Sequence, residues 1–187
     1  MFAPAPFLLK NVSVSKVMTE VCLALLPAIA IYSWLVTPAI LAQLVIATLA
    51  ALLAEAAMLR VQGRPVGMFL TDGSAVVTAW LIALTFPPLA PWWLVATGTV
   101  FAIVVAKHLY GGLGQNPFNP AMVAYCSMIV AYPALMSQWP AAGSLSFDTQ
   151  LGLILGGARD LDGMTGATAL DALRTGLRSG ASSVEAV

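Results

Sequence analysis

Apolar residues run almost unbroken through five stretches of the chain, at about 17–36, 38–59, 74–86, 91–107 and 120–135, and most polar and charged residues fall in the gaps between them. A helix satisfies its own backbone groups, and about 20 apolar residues in helix cross the hydrocarbon core of a bilayer. The pattern therefore predicts five transmembrane helices. Pro27 should kink the first, and Pro87-Pro88 should stop the third, which is short. Ala28-Ile29-Ala30 after an apolar run resembles a signal-peptide cleavage site. The lead-in "MFAPAPFLLKNVSVSK" is long and contains two prolines, and further spans follow, so a retained first helix is expected.

The gaps alternate in charge. Lys10 and Lys16 precede the first span, Arg60 and Arg64 lie between the second and third, and Lys107 closes the fourth beside His108. Thr37-Pro38 and "PPLAPWW" carry no charge. Basic short loops stay cytoplasmic, which sets residues 1–16 inside, 17–136 as a five-helix membrane domain, and 137–187 as an extracytoplasmic segment. Trp34, Trp92, Trp93 and Trp139 then fall at the outer interface, where aromatic belts form. Arg159, Arg174 and Arg178 lie in the long outer segment, where the charge rule weakens.

Composition strengthens the membrane reading. Of 187 residues, 60% are hydrophobic and 9% charged, against about 45–50% and about 25% in a soluble domain. The formal net charge is zero, which excludes a basic nucleic-acid surface. Cys22 and Cys126 stand far apart in apolar runs, a spacing that suits packing and neither zinc nor an iron–sulfur cluster. No soluble catalytic domain is evident.

A few polar residues interrupt the apolar frame. Glu55, near the inner end of the second span, is expected to snorkel toward Arg60, with an intramembrane functional role as the alternative. Asp72 in "TDGSAVV" is placed to cap the third span. His108 is expected at the inner surface. In "YGGLGQNPFNPAM" (110–122) glycines and two Asn-Pro pairs break the helix, and Asn119 with Pro120 makes a cap and first position for the fifth span. That irregular loop suits either a turn or a ligand-lining segment.

The last polar stretch, "LDGMTGATAL" (161–170), carries two threonines. Thr168 with Asp171 has the Thr-x-x-acid form of a capping box, and Leu170, Leu173 and Leu177 follow at helical intervals before Gly180. A hydroxyl at a helix N-terminus is also where a phosphate would be best received. Cap and phosphate acceptor both fit these residues.

"DGMTGAT" (162–168) resembles the Asp-x-x-Ser/Thr-Gly-Ala-Thr acceptor motif of extracytoplasmic flavin transferases. Together with "DGSAVVTAWLIALTFPPLAPWW", "KHLYGGLGQNPFNPAM" and "SQWP", it resembles the D subunit of the Rnf electron-transport complex. That family is related to the B subunit of the sodium-pumping NADH:quinone reductase. The resemblance implies covalent FMN as a phosphoester on Thr168, with Asp162, Thr165, Gly166 and Ala167 recognised by the transferase. It also implies an all-α, ten-helix fold of two inverted halves, of which these 187 residues carry the first. The implied role is electron relay in a bacterial inner-membrane complex that couples ferredoxin and NAD to ion movement. Other membrane and peripheral subunits are its implied partners. Such a chain is not catalytic alone, and Thr168 is an attachment point. Noncovalent riboflavin occurs in the family, but no residue here identifies its site. Two other classes fit parts of the chain. "FNPA" invites a small-solute channel, although aquaporin-type channels carry two such motifs, and a structural membrane subunit would need no flavin.

Overall fold

A computed structural model of the chain describes residues 13–140, 145–156 and 169–178. Every regular element among them is helical: α1 (Val14–Leu35), α2 (Ala39–Val61), α3 (Val66–Leu70), α4 (Ser74–Thr85), α5 (Trp92–Phe101) with a π-helical continuation (Ala102–His108), α6 (Pro120–Ala131), α7 (Pro133–Met136), α8 (Phe147–Leu155) and α9 (Ala169–Arg178). Helices thus occupy each of the five apolar stretches. Only α1 and α2 are long and apolar enough to cross a membrane by themselves. The apolar helices at 74–85, 92–108 and 120–131 are shorter. The expected fifth span breaks at Tyr132, because Pro133 disfavours helical backbone in the residue before it.

The centre of the molecule is α2. Ile40, Leu44, Ala47, Ala51 and Ala54 recur at intervals of three and four and are buried, and α4 answers with Ala75, Ala79, Ile82 and Ala83. Small side chains allow two backbones to approach closely, which is how helices pack where lipid removes the hydrophobic drive between them. The opposite face of α2 exposes Leu41, Val45, Leu49 and Leu53, the last 72% accessible. A helix apolar on every side belongs in lipid or deep in protein.

The segment after α4 is not the surface turn that "PPLAPWW" suggests. Phe86 through Pro91 are all buried. Three prolines remove three backbone donors and leave carbonyls needing partners. Gln43 of α2 supplies them: its Nε2 donates to the carbonyls of Pro88 at 3.1 Å and Ala90 at 2.6 Å. A fully buried glutamine five residues into an apolar helix thereby holds irregular backbone inside the bundle.

The same end receives the segment that follows α7. Thr37, in the α1–α2 turn, donates its hydroxyl to Gln150 Oε1 of α8 at 2.7 Å. Ala39, Leu89, Leu153 and Ile154 close over this contact as a small core of their own. Trp93 meets Tyr132 edge-on at 5.2 Å, joining the start of α5 to the end of α6 there. Since α2 runs for 23 residues, about 34 Å, α8 lies far from Arg60 at the other end.

At the middle of α5, Gly98 is a close-approach position. A Cβ there would stand 2.8 Å from the buried Phe86 ring and 3.3 Å from Met128. Gly98→Ala should cost about 1–3 kcal/mol through overpacking, read as a lower thermal midpoint in detergent. Gly152→Ala, with open space at its Cβ, should be neutral or slightly stabilising. Equal midpoints for the two variants would show that Gly98 is not a packing constraint.

Candidate functional site

At the end of the bundle away from α8, four ionisable side chains gather in otherwise apolar surroundings. The π-helical turn starts the arrangement. Leu109 N–H bonds back to the Val104 carbonyl and Gly112 N–H to that of Lys107, both across five residues. The wider turn brings the consecutive residues Lys107 and His108 into the interior together, at 3% and 4% exposure. Such π segments are rare and concentrate at functional sites.

Lys107 Nζ donates to Glu55 Oε1, Glu55 Oε2 and Ser74 Oγ, each at 2.8 Å. All three ammonium donors are therefore used. The Ser74 hydroxyl donates in turn to Asp72 Oδ1 at 2.6 Å, and the same oxygen accepts Ser74 N–H at 2.7 Å. Asp72 supplies the side-chain oxygen that caps α4, but from one residue before the expected position, because Gly73 occupies the N-cap with a positive φ of 81°. Asp72, Ser74, Lys107 and Glu55 thus form one connected chain. His108 Nε2 lies 3.1 Å from Glu55 Oε2, within ion-pair reach but off the line of a hydrogen bond.

Two expectations need correction here. Glu55 is 2% exposed and does not snorkel toward Arg60. On a helix, neighbours lie three or four residues apart, so a residue five further on faces elsewhere, whereas Lys107 of the neighbouring helix lies directly opposite. His108 is buried beside Glu55 and not at the surface. Gln43, Ser74 and the partnership of Lys107 escaped the sequence reading. A lone acid and a lone base at the same ends of two apolar runs were the signal for the last.

Two cavities flank this cluster and Lys107 lines both. One, of about 310 Å³, is bounded by Glu55, Asp72, His108 and Arg64 among others. The second, of about 250 Å³, adds Ser74, Asn116 and Asn119. Asn119 also accepts Ala121 N–H at 2.9 Å as the α6 cap, as expected. Among the described residues no group of His, Cys, Asp and Glu is arranged to hold a metal ion.

The model of the NQR2, RnfD, RnfE family matches residues 1–186. The chain belongs to that family. The D subunit of the ion-translocating oxidoreductase complex of Aeromonas hydrophila subsp. hydrophila is 44% identical over 194 residues, covering 95% of this chain and 55% of that protein. The D subunit of the same complex in Pseudomonas aeruginosa (strain LESB58) is 50% identical over 153 residues, 81% of this chain and 44% of its own length. That of Sodalis glossinidius is 42% identical over 195 residues, 96% and 56% respectively. The chain spans about half the length of these curated relatives.

For this family member, the residues singled out for flavin attachment, Asp162, Thr165, Gly166, Ala167 and Thr168, lie outside the described residues. The helix expected after them is present, and α9 begins at Ala169, the residue following Thr168.

The Glu55–Lys107 pair sets a clear stability expectation. Removing one partner of a buried pair leaves an uncompensated charge. Lys107→Met should cost about 3–5 kcal/mol, and the double variant Glu55→Gln/Lys107→Met should recover much of it. Thermal unfolding of the variants in one detergent measures the coupling. Losses that simply add would show that the two charges act independently.

Proposed function

We propose that this chain is a membrane subunit of a redox-driven, ion-translocating complex of the bacterial inner membrane, and that it carries FMN as a phosphoester on Thr168. The carrying observation is the packing of α8 against the α1–α2 turn, at the end of the bundle whose short turns carry no charge. It supports delivery of the following segment, which contains "DGMTGAT", to the side opposite Arg60, Arg64 and Lys107. With basic short loops cytoplasmic, that side is extracytoplasmic, where a flavin transferase would act. The names of the relatives favour this redox reading over a small-solute channel or a subunit without flavin.

The shorter helices cross the membrane in this reading with help from buried irregular backbone. Residues 86–91 are enclosed in protein and have Gln43 as donor, the condition under which non-helical backbone is tolerated at membrane depth.

Thr168 supplies the ester oxygen immediately before a ten-residue helix. The free N–H groups and positive dipole end of α9 suit a phosphate at that position. Asp162, Thr165, Gly166 and Ala167 serve as the transferase's recognition elements, and the two small residues keep the approach to the hydroxyl open. Bound there, FMN would supply one- and two-electron chemistry between neighbouring carriers, with ferredoxin and NAD as the terminal couple. The protein's part is position and electrostatic setting.

Thr168→Ala should abolish in-gel flavin fluorescence and the flavin mass increment of the intact chain made with the transferase, while Thr165→Ala weakens both. Fluorescence surviving in Thr168→Ala would move attachment elsewhere. A reporter fused after residue 160 should be active only outside the cytoplasm, and cytosolic activity would overturn the topology.

A further inference from the structure

The first of the two cavities beside Lys107 runs from the molecular surface to the buried cluster. Its rim is Arg64, Met68, Gly111 and Leu113, all exposed, and its inner wall is Glu55, Lys107 and His108, all buried. The charges lining it balance, with Glu55 and Asp72 against Lys107 and Arg64, so no net charge draws an ion into it. What the inner wall lacks is a hydrogen-bond partner. Among the described residues, neither imidazole nitrogen of His108 has one, and buried polar atoms in that position are satisfied by ordered water. A cavity holds a water molecule when it has about 10–15 Å³ of space for the probe and offers about two to four polar partners. At about 310 Å³, with the imidazole, two carboxylates and the Arg64 guanidinium on its wall, this one has room and partners for several. An acyl chain is the other occupant a membrane offers. It would leave the imidazole and the carboxylates facing hydrocarbon, where an unpaired polar group is costly.

We propose that this cavity is a water-filled inlet reaching the Glu55–Lys107 pair, with the His108 ring nitrogens hydrogen-bonded to its innermost waters. The second cavity shares two lining residues with the first, Lys107 and Leu113. Lys107 is held by Glu55 and Ser74. Leu113 is half-exposed and stands between Gly112 and Gly114, whose φ of 99° and 83° glycine alone adopts freely. That turn sets an apolar side chain between two spaces that both carry polar groups. Leu113 is thus the residue that limits the width of the inlet and divides it from the second space. The proposal stands independently of flavin attachment and of the face of the membrane on which the inlet opens.

His108 is the single histidine in these 187 residues, so a histidine label reports the inner wall alone. The full chain, labelled with 13C and 15N at histidine, is reconstituted in lipid bilayers. Solid-state NMR at one fixed pH then follows proton magnetisation passing to the ring carbons from water and, separately, from lipid acyl chains. The ring should draw from water several-fold faster than from acyl chains. Leu113→Trp, which narrows the inlet, should slow the transfer from water several-fold, and Leu113→Ala, which joins the two spaces, should hasten it. Met68→Trp at the rim provides the same narrowing if Leu113→Trp does not fold. Faster transfer from acyl chains would show a lipid-filled groove, and slow transfer from both sources would show a dry cavity. Either result, or a rate indifferent to all three substitutions, would overturn the proposal.

Discussion

The fold turns on one buried ion pair. Lys107 places its ammonium against both oxygens of Glu55 and the hydroxyl of Ser74, joining three elements far apart in sequence: α2, the start of α4, and the π-helical end of α5. Apolar helices in an apolar solvent have little to choose between one rotation and another. A charge that must find its single partner removes that freedom. The cost is desolvation of both ions, and the offset is complete use of the ammonium donors. The departure of α5 from α-helical register has its physical reason here, since it brings two consecutive basic residues inward.

The other end of the bundle solves a different polar problem. Its burden is unsatisfied backbone around Pro87, Pro88 and Pro91, and its remedies are neutral amides. Gln43 serves two carbonyls, and Gln150 receives the Thr37 hydroxyl while donating to the Leu145 carbonyl. The molecule is therefore polarised, with the buried charge cluster and its two flanking cavities at one end and amide-mediated closure at the other. α8 is tied to the second end.

This polarity frames the role of a chain in the NQR2, RnfD, RnfE family. In the proposed arrangement the flavin-bearing segment and the buried charge cluster occupy opposite ends of one bundle. The charge cluster lies within the low dielectric of the bundle, where Glu55 and Lys107 are almost wholly buried.

Much of this was legible in the chain. The five helical regions, the caps at Asp72 and Asn119, and the helix after Thr168 follow from local rules of hydropathy, hydrogen bonding and turn chemistry, which act within a few residues. The family resemblance was equally readable, because "DGMTGAT" and its companion stretches are contiguous. The partner of Glu55 was not. Sequence distance favoured Arg60, but helical geometry turns that residue away, and Lys107 lies 52 positions on. Gln43 likewise gave no sign that it would hold the carbonyls of Pro88 and Ala90. The sequence by itself determined which segments are helical and apolar. Only the packed bundle decided which buried polar groups meet, because each must satisfy a partner brought near by three-dimensional contact and by nothing in its own turn of helix.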